Sequence, residues 1–156
     1  MDFGTFITGL IALLFCALPF LLVARNNQKQ KRALQHQLFQ LAASNNNQIG
    51  YFEQWNNAAI GISQDNTAVY YINTGKQPAS EHVLLSDVEN CFVSHDKSGK
   101  DGRTDAQRIC LNFKLKTKNS QRSWAFYDSL TNPVLPNNEL EQAKKWEKQV
   151  SDKLIH

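Results

Sequence analysis

The feature that most constrains this chain is an uncharged apolar run near its start that ends abruptly in cations. Phe3 to Ala24 carries no charged side chain over 22 residues, and Arg25 follows at once. A helix of that length is about 33 Å long, enough to cross a hydrocarbon core of about 30 Å. Asp2 stands where a signal peptide has basic residues, and no small-x-small cleavage site follows the run. We therefore predict an uncleaved transmembrane anchor over residues 1–24.

A basic cluster lies directly behind the run and consists of Arg25, Lys29, Lys31 and Arg32. Because positively charged flanks remain in the cytoplasm, the cluster predicts a single-pass inner (plasma) membrane protein of bacterial type. Its N-terminus would lie outside and its C-terminal domain would be cytoplasmic. Two roles stay open for this membrane-proximal basic cluster. It sets the topology alone, or it also attracts anionic lipid headgroups at about 1 kcal/mol per cation.

Residues 25–47 are predicted to form a basic juxtamembrane helix and linker. The stretch 25–44 has no proline or glycine and is rich in good helix formers. Leu34, Leu38 and Leu41 recur at i, i+4 and i+7, which makes an apolar stripe on one face. Two alternatives are open for this stripe: it packs on the domain that follows, or it pairs with a second copy to form a homodimer through the 25–44 helix.

Residues 48–156 are predicted to form one domain, because from Tyr51 the apolar period changes from helical to two. The clearest alternation places Ile109 and the apolar residues after it inward, with lysines and Asn112 outward. A strand with one polar face is typical of an antiparallel sheet that faces water on one side. The predicted strands are Ala58–Ser63, Thr67–Asn73, Glu81–Leu85, Val88–Ser94, Ile109–Lys116 and Arg122–Tyr127.

The chain closes on a predicted amphipathic helix of about 16 residues. Asn138 can cap it, and Glu141 three residues later completes an arrangement like a capping box. The apolar residues that follow lie on one face at three- and four-residue spacing, with Trp146 at the centre. We predict that Trp146 packs on the sheet and is mostly buried.

This order of elements resembles the pleckstrin-homology-like superfold of small membrane-anchored bacterial proteins. The residues that carry the resemblance are the hairpin AIGIS-QDN-TAVYYIN, the segment VLLSDVENCFV, and the strands RICLNFKLKT and RSWAFYD before ELEQAKKWEKQVSDKL. The resemblance covers about Ile49 to Leu154. It implies an α+β fold in which an antiparallel, partly open β-barrel is closed by the C-terminal helix, behind the N-terminal transmembrane helix. It also implies a binding or scaffolding role without catalysis.

No constellation of catalytic or metal-ligating residues is found, so we expect no catalytic residues, no metal and no cofactor. Ser94, His95 and Asp96 are neighbours in sequence and point to alternate faces of a strand, whereas triads come from distant segments. The segment Ser94–Gln107 is rich in charge and glycine and predicts a mobile hairpin tip, not a calcium loop. Cys91 and Cys110 flank this tip and could be cross-strand neighbours, which a reducing cytoplasm would keep as thiols.

Two functions follow from these features. The first is a membrane-anchored, non-enzymatic interaction or scaffolding domain that binds a peptide or protein partner by strand addition at an exposed edge or groove. The second is a peripheral sensor of anionic lipids that uses the basic cluster. Nucleic acid is not expected as a partner, because the tryptophans lack the interleaved cations of a stacking platform.

Overall fold

The residues that the structure describes form two helices and seven strands, in the order helix, seven strands, helix. The structure, a computed structural model, describes residues 3–98, 106–117, 120–132, 134 and 136–154. The elements are α1 (Phe3–Ser44), β1 (Ile49–Trp55), β2 (Ala58–Ser63), β3 (Ala68–Asn73), β4 (Ala79–Leu84), β5 (Val88–Ser98), β6 (Ala106–Leu115), β7 (Gln121–Asp128) and α2 (Glu139–Leu154). One turn of 3-10 helix, Leu85–Asp87, joins β4 to β5.

The apolar run and the basic stretch after it form one continuous helix, α1. A membrane span needs about 20 consecutive apolar residues within a helix. Within the described part of the chain, neither helix supplies a stretch long and apolar enough to cross a membrane. The predictions of an N-terminal transmembrane helix over residues 1–24 and of a single-pass inner-membrane protein with a cytoplasmic domain are therefore wrong. The prediction relied on the length of the uncharged run Phe3–Ala24 and on the cations that follow it.

The C-terminal part of α1 packs on the first sheet, whose strand order is β1-β2-β3-β4 with antiparallel neighbours. Leu34, Leu38 and Ala42 are buried against Ala59, Tyr70 and other residues on the outer face of this sheet. The expectation that the stripe packs on the chain's own domain is confirmed. The stripe that a homodimer through the 25–44 helix would use is thus covered by the sheet of the same chain.

Small residues on β2 and β3 let α1 lie close to the first sheet. Ala59 and Ala68 are fully buried beneath the helix. Gly61 lies between them, and a Cβ built at Gly61 would come within 3.2 Å of the Leu38 side chain. The first sheet is consequently covered on both faces, and every residue of β2 is buried.

The second sheet has the order β5-β6-β7 and shares one core with the inner face of the first sheet and with α2. Trp146 is fully buried in this core, which confirms the prediction made from its stripe. The α+β class is as expected, but the expected partly open barrel is not formed. The described strands make two open sheets without a shared ladder, because the chain leaves the first sheet through the 3-10 turn at Leu85–Asp87. Side chains, and not backbone pairing, hold the two sheets together.

A row of polar side chains crosses the outer face of the second sheet. Asn112 lies at its centre and is 2% exposed. Its Nδ2 donates to Ser94 Oγ at 2.9 Å, and its Oδ1 accepts from Gln121 Nε2 at 3.1 Å. The three strands are thus linked by side chains as well as by their backbone ladders. The buried amide satisfies both ends of its hydrogen-bonding group in this way.

Replacing Leu38 with Ala should lower the free energy of unfolding of the full chain by about 2–5 kcal/mol, because the substitution leaves a cavity between α1 and the first sheet. Leu38 is fully buried, whereas Gln40 on the same helix is exposed. Urea denaturation followed by circular dichroism would measure the change, with Gln40→Ala as the matched control. Equal midpoints for Leu38→Ala and the unaltered chain would show that α1 does not pack on the sheet.

Candidate functional site

The outer side of β4 is an open edge of the first sheet. The two sheets leave four edge strands: β1, β4, β5 and β7. Residues on β1 hold α2, and α2 crosses the second sheet and contacts β5. On β7, the carbonyl oxygens of Ala125 and Phe126 accept hydrogen bonds from Tyr71 OH at 2.7 Å and Trp55 Nε1 at 3.0 Å. Among the described strands, β4 pairs with β3 alone.

A groove runs beside this edge, between the last turns of α1 and β4, and we call it the β4 groove. It encloses about 540 Å³. Its lining carries no formal charge and includes Gln37, Leu41, Ser44, Ile72, Pro78 and Ser80. The groove exists because α1 lies over β2 and β3 and stops short of the sheet's last strand.

The row of β4 side chains on the α1 side is open to solvent. Ser80, His82 and Leu84 are all exposed, and Leu84 exposes 44% of its surface. The His82 ring stacks on the Tyr70 ring at 5.8 Å between centroids, which orients the histidine along the sheet. Leu84 lies at the end of an edge strand whose outer side has no backbone partner among the described strands.

A second cluster, which we call the α2 clasp, fastens α2 to β1. Lys145 Nζ bonds to a Glu53 carboxylate oxygen and to Tyr51 OH, and Trp146 Nε1 donates to the other Glu53 oxygen at 3.0 Å. Burial disfavours ionised Glu53, but the hydrogen bonds from Lys145, Tyr51 and Trp146 outweigh it and lower the pKa of this carboxyl. The hydrogen bond to Glu53 also raises the pKa of Lys145. These groups stabilise one another and are therefore a structural ion pair.

The basic cluster lies on α1, and all four of its cations are exposed. Arg25, Lys29 and Arg32 follow one another at i, i+4 and i+7 and therefore share one helix face. Lys31 lies on another face. The face of Arg25 is opposite the one that Leu38 buries against the first sheet, so the three aligned cations point into solvent.

The residues examined for catalysis or metal binding remain apart. Ser94, His95 and Asp96 lie on β5 opposite Cys110, Ile109 and Arg108, so their side chains alternate between the two faces of the sheet. Among the described residues, no group of three or more His, Cys, Asp or Glu side chains is placed to hold a metal ion. The strands pair as far as Ser98 and Ala106, so the prediction of a mobile tip is wrong for Ser94–Ser98 and Ala106–Gln107, and residues 99–105 lie outside the described residues.

Both cysteines of the second sheet are buried and free. Cys91 lies opposite Phe113 on the inner face, whereas Cys110 lies opposite Ser94 on the outer face. Because they face opposite sides of the sheet, the expected cross-strand neighbourhood is not found. Burial raises the pKa of the Cys91 thiol to about 12, so the thiolate needed of a nucleophile is scarce at neutral pH.

Comparison of the chain with protein-family models, with curated proteins and with solved structures finds no match. Function is therefore inferred below from the geometry of the chain itself. Sequence reasoning named an exposed edge or groove in general terms but did not identify β4. The available signal was the alternation of Ser80, His82 and Leu84, but it could not show that α1 covers only part of the sheet beside them.

The α2 clasp makes the stability of the chain depend on pH. The folded-state pKa of Glu53 is below its ordinary value of 4.5. The stabilising contribution is therefore fully present above that value and is lost as the pH falls through the lowered folded-state pKa. We expect the free energy of unfolding to fall more steeply between pH 6 and pH 3 for the unaltered chain than for Glu53→Gln.

Urea denaturation at several pH values would measure both slopes, with Glu141→Gln on the exposed side of α2 as the control. Parallel slopes for the unaltered chain and Glu53→Gln would show that the carboxylate of Glu53 contributes nothing to folding.

Proposed function

We propose that this chain is a non-enzymatic binding module that captures an extended segment of a protein partner along β4. The proposal rests on one observation: β4 is an edge strand whose outer side has no partner strand among the described strands, and an uncharged groove lies beside it. An added strand would pair its backbone with the free N–H and C=O groups of β4, which supplies affinity for any extended segment. Side chains of the partner that enter the groove would then determine the sequence specificity.

The chemistry of the groove specifies the kind of segment that fits. Leu41, Ile72 and Pro78 offer apolar surface, while Gln37 and Ser44 offer neutral hydrogen-bonding groups. An ionised side chain would lose hydration there without meeting an opposite charge, which is unfavourable. The preferred segment is thus uncharged over the residues that face α1 and has small or medium apolar side chains. Alternate residues of an added strand point to that side.

The order of elements supports a pleckstrin-homology-like interpretation of the domain as part of the same proposal. A four-stranded sheet precedes a three-stranded sheet, and a helix that packs in the shared core follows. An open strand edge of this kind is a surface to which a binding module can add a strand of its partner. The proposal does not need a membrane anchor, because β4 and its groove lie wholly in the part of the chain after Arg32.

Ser80→Arg should weaken peptide capture without unfolding the domain. Ser80 is exposed and lines the groove, so an arginine there introduces charge and bulk into an uncharged site. Ser123→Arg is the matched control, because Ser123 is also exposed on an edge strand, but of the second sheet. Peptides selected from a random 12-residue library against the full chain would be titrated by fluorescence anisotropy. We expect at least about tenfold weaker binding for Ser80→Arg, equivalent to about 1.4 kcal/mol, and no change for Ser123→Arg.

Amide hydrogen exchange of the chain with a selected peptide bound locates the contact. Increased protection should concentrate on residues 79–84. Protection confined to β5 or β7, or a library that yields no peptide sensitive to Ser80→Arg, would contradict capture along β4.

A second candidate function is supported by the alignment of Arg25, Lys29 and Arg32 on the solvent face of α1. We propose that this face contacts anionic lipid headgroups from the outside of the bilayer. Each cation near an anionic surface contributes about 1 kcal/mol, and the attraction is screened within a Debye length. This contact would leave the β4 groove accessible, because the cations face away from the first sheet.

The lipid proposal predicts binding of the full chain to phosphatidylserine vesicles that weakens with added salt. Arg25→Gln with Lys29→Gln should lower the affinity about 30-fold, as expected for two cations of about 1 kcal/mol each. Lys144→Gln with Lys148→Gln is the matched control, because both lysines are exposed and have the same spacing on α2. Sedimentation with vesicles would measure the effect. Equal losses in both variants would mean that general charge, and not this face, is responsible.

A further inference from the structure

A separate cavity lies where the two sheets meet, at the end that carries the β1–β2 turn. It encloses about 290 Å³, at the lower end of the range for small-molecule sites. Four chain segments converge on it: the β1–β2 turn, the β3–β4 loop, the end of β7 and the turn after β7. We call it the junction cavity. It adjoins the β4 groove through Asn73 but opens between the sheets and not along the edge.

Contacts between residues of this chain fix the wall of the junction cavity. The rings of Trp55 and Phe126 stack with 4.3 Å between centroids and 18° between planes. Asn73 accepts from Gly75 N at 2.8 Å, which fixes the β3–β4 loop. Thr74 N donates to Asn57 O at 2.8 Å, which ties that loop to the β1–β2 turn. The aromatic wall and the loops around it are therefore formed before any ligand arrives.

Carboxamide side chains surround this aromatic wall. Asn56, Asn57, Gln77 and Asn132 all line the cavity. Asn56 and Asn132 each make a side-chain hydrogen bond, to Glu139 and Val134. Asn57 and Gln77 are exposed, and among the described residues their amide groups make no hydrogen bond within the chain. Each carboxamide offers two N–H donors and a carbonyl acceptor side by side. The cavity consequently presents unused donors and acceptors in adjacent pairs.

The charges around the cavity are few and do not favour an anion. Lys76 is the one cationic residue among the described residues of the lining. Asp128 lies in the same lining, and its carboxylate is 3.7 Å from Arg108 Nε. A phosphorylated ligand needs several cations or converging backbone N–H groups to replace its hydration. One lysine beside a carboxylate does not meet that need.

We propose that the junction cavity binds a neutral saccharide of one or two rings. A pyranose combines an apolar ring face with vicinal hydroxyl groups that each donate and accept a hydrogen bond. The Trp55 side chain would contact the ring face, and the Asn57 and Gln77 amides would bond adjacent hydroxyls. This site is distinct from peptide capture along β4 and does not depend on it.

The test is a titration of the isotope-labelled full chain, followed by amide resonances, with maltose, cellobiose, lactose and N,N′-diacetylchitobiose as probes. Shifts should concentrate in residues 55–58, 73–77 and 125–132 for at least one of them. Asn57→Ala and Gln77→Ala should each weaken that probe about fivefold, as expected for one lost hydrogen bond. Asn90→Ala is the matched control, because Asn90 is an exposed carboxamide on β5, away from the cavity.

Two further probes distinguish a saccharide from other classes of ligand. Inositol trisphosphate tests an anionic ligand, and N-acetylglycinamide tests a peptide amide. A response to either one in place of the saccharides would overturn the proposal. Absence of any saccharide response up to the solubility of the probes would overturn it as well. A saccharide response that Asn90→Ala weakens as much as Asn57→Ala does would place the binding elsewhere.

Discussion

The packing of α1 on the outer face of the first sheet is the contact on which the rest of the structure depends. It is permitted by small side chains, since Gly61 leaves room for Leu38 where any Cβ would come within 3.2 Å of it. With both faces covered, the central strands β2 and β3 form a buried layer. The position of α1 also defines the sites, because the helix covers the middle of the sheet and leaves β4 beside a groove.

Several strands could be predicted from period-two alternation, because this pattern appears wherever one face of a strand is buried and the other is exposed. The strand at Ile109–Lys116 was predicted in this way and overlaps β6 (Ala106–Leu115). The burial of Trp146 was predicted from the three- and four-residue spacing on its helix and is confirmed. β1 was not recognised, since Glu53 is a charged residue that occupies an inner position and is accommodated only by Lys145 and Trp146 from α2. A partner about 90 residues away leaves no local signal.

The N-terminal prediction failed for a different reason. The uncharged run was judged long enough for a span, but no stretch of the described helix is both long and apolar enough to cross a membrane. The stripe at Leu34, Leu38 and Leu41 was informative, since it predicted burial correctly, but periodicity does not say which surface is covered. The β4 groove and the junction cavity are formed by segments far apart in the chain, so neither could be derived before the sheets were placed. The junction cavity forms because the turns of both sheets lie at the same end of the domain.

The buried amide of Asn112 has a consequence for how the second sheet assembles. The side chains of a strand alternate between faces, so sliding β6 by one residue against its neighbours would turn Asn112 into the apolar core and Leu111 out to water. The amide would then lose its bonds to Ser94 and Gln121 in a place where nothing replaces them. A hairpin with the shifted register is therefore less stable than the native one once the core is packed. Asn112 therefore disfavours a one-residue register shift of β6, a strand whose inward residues Ile109, Leu111 and Phe113 are all apolar.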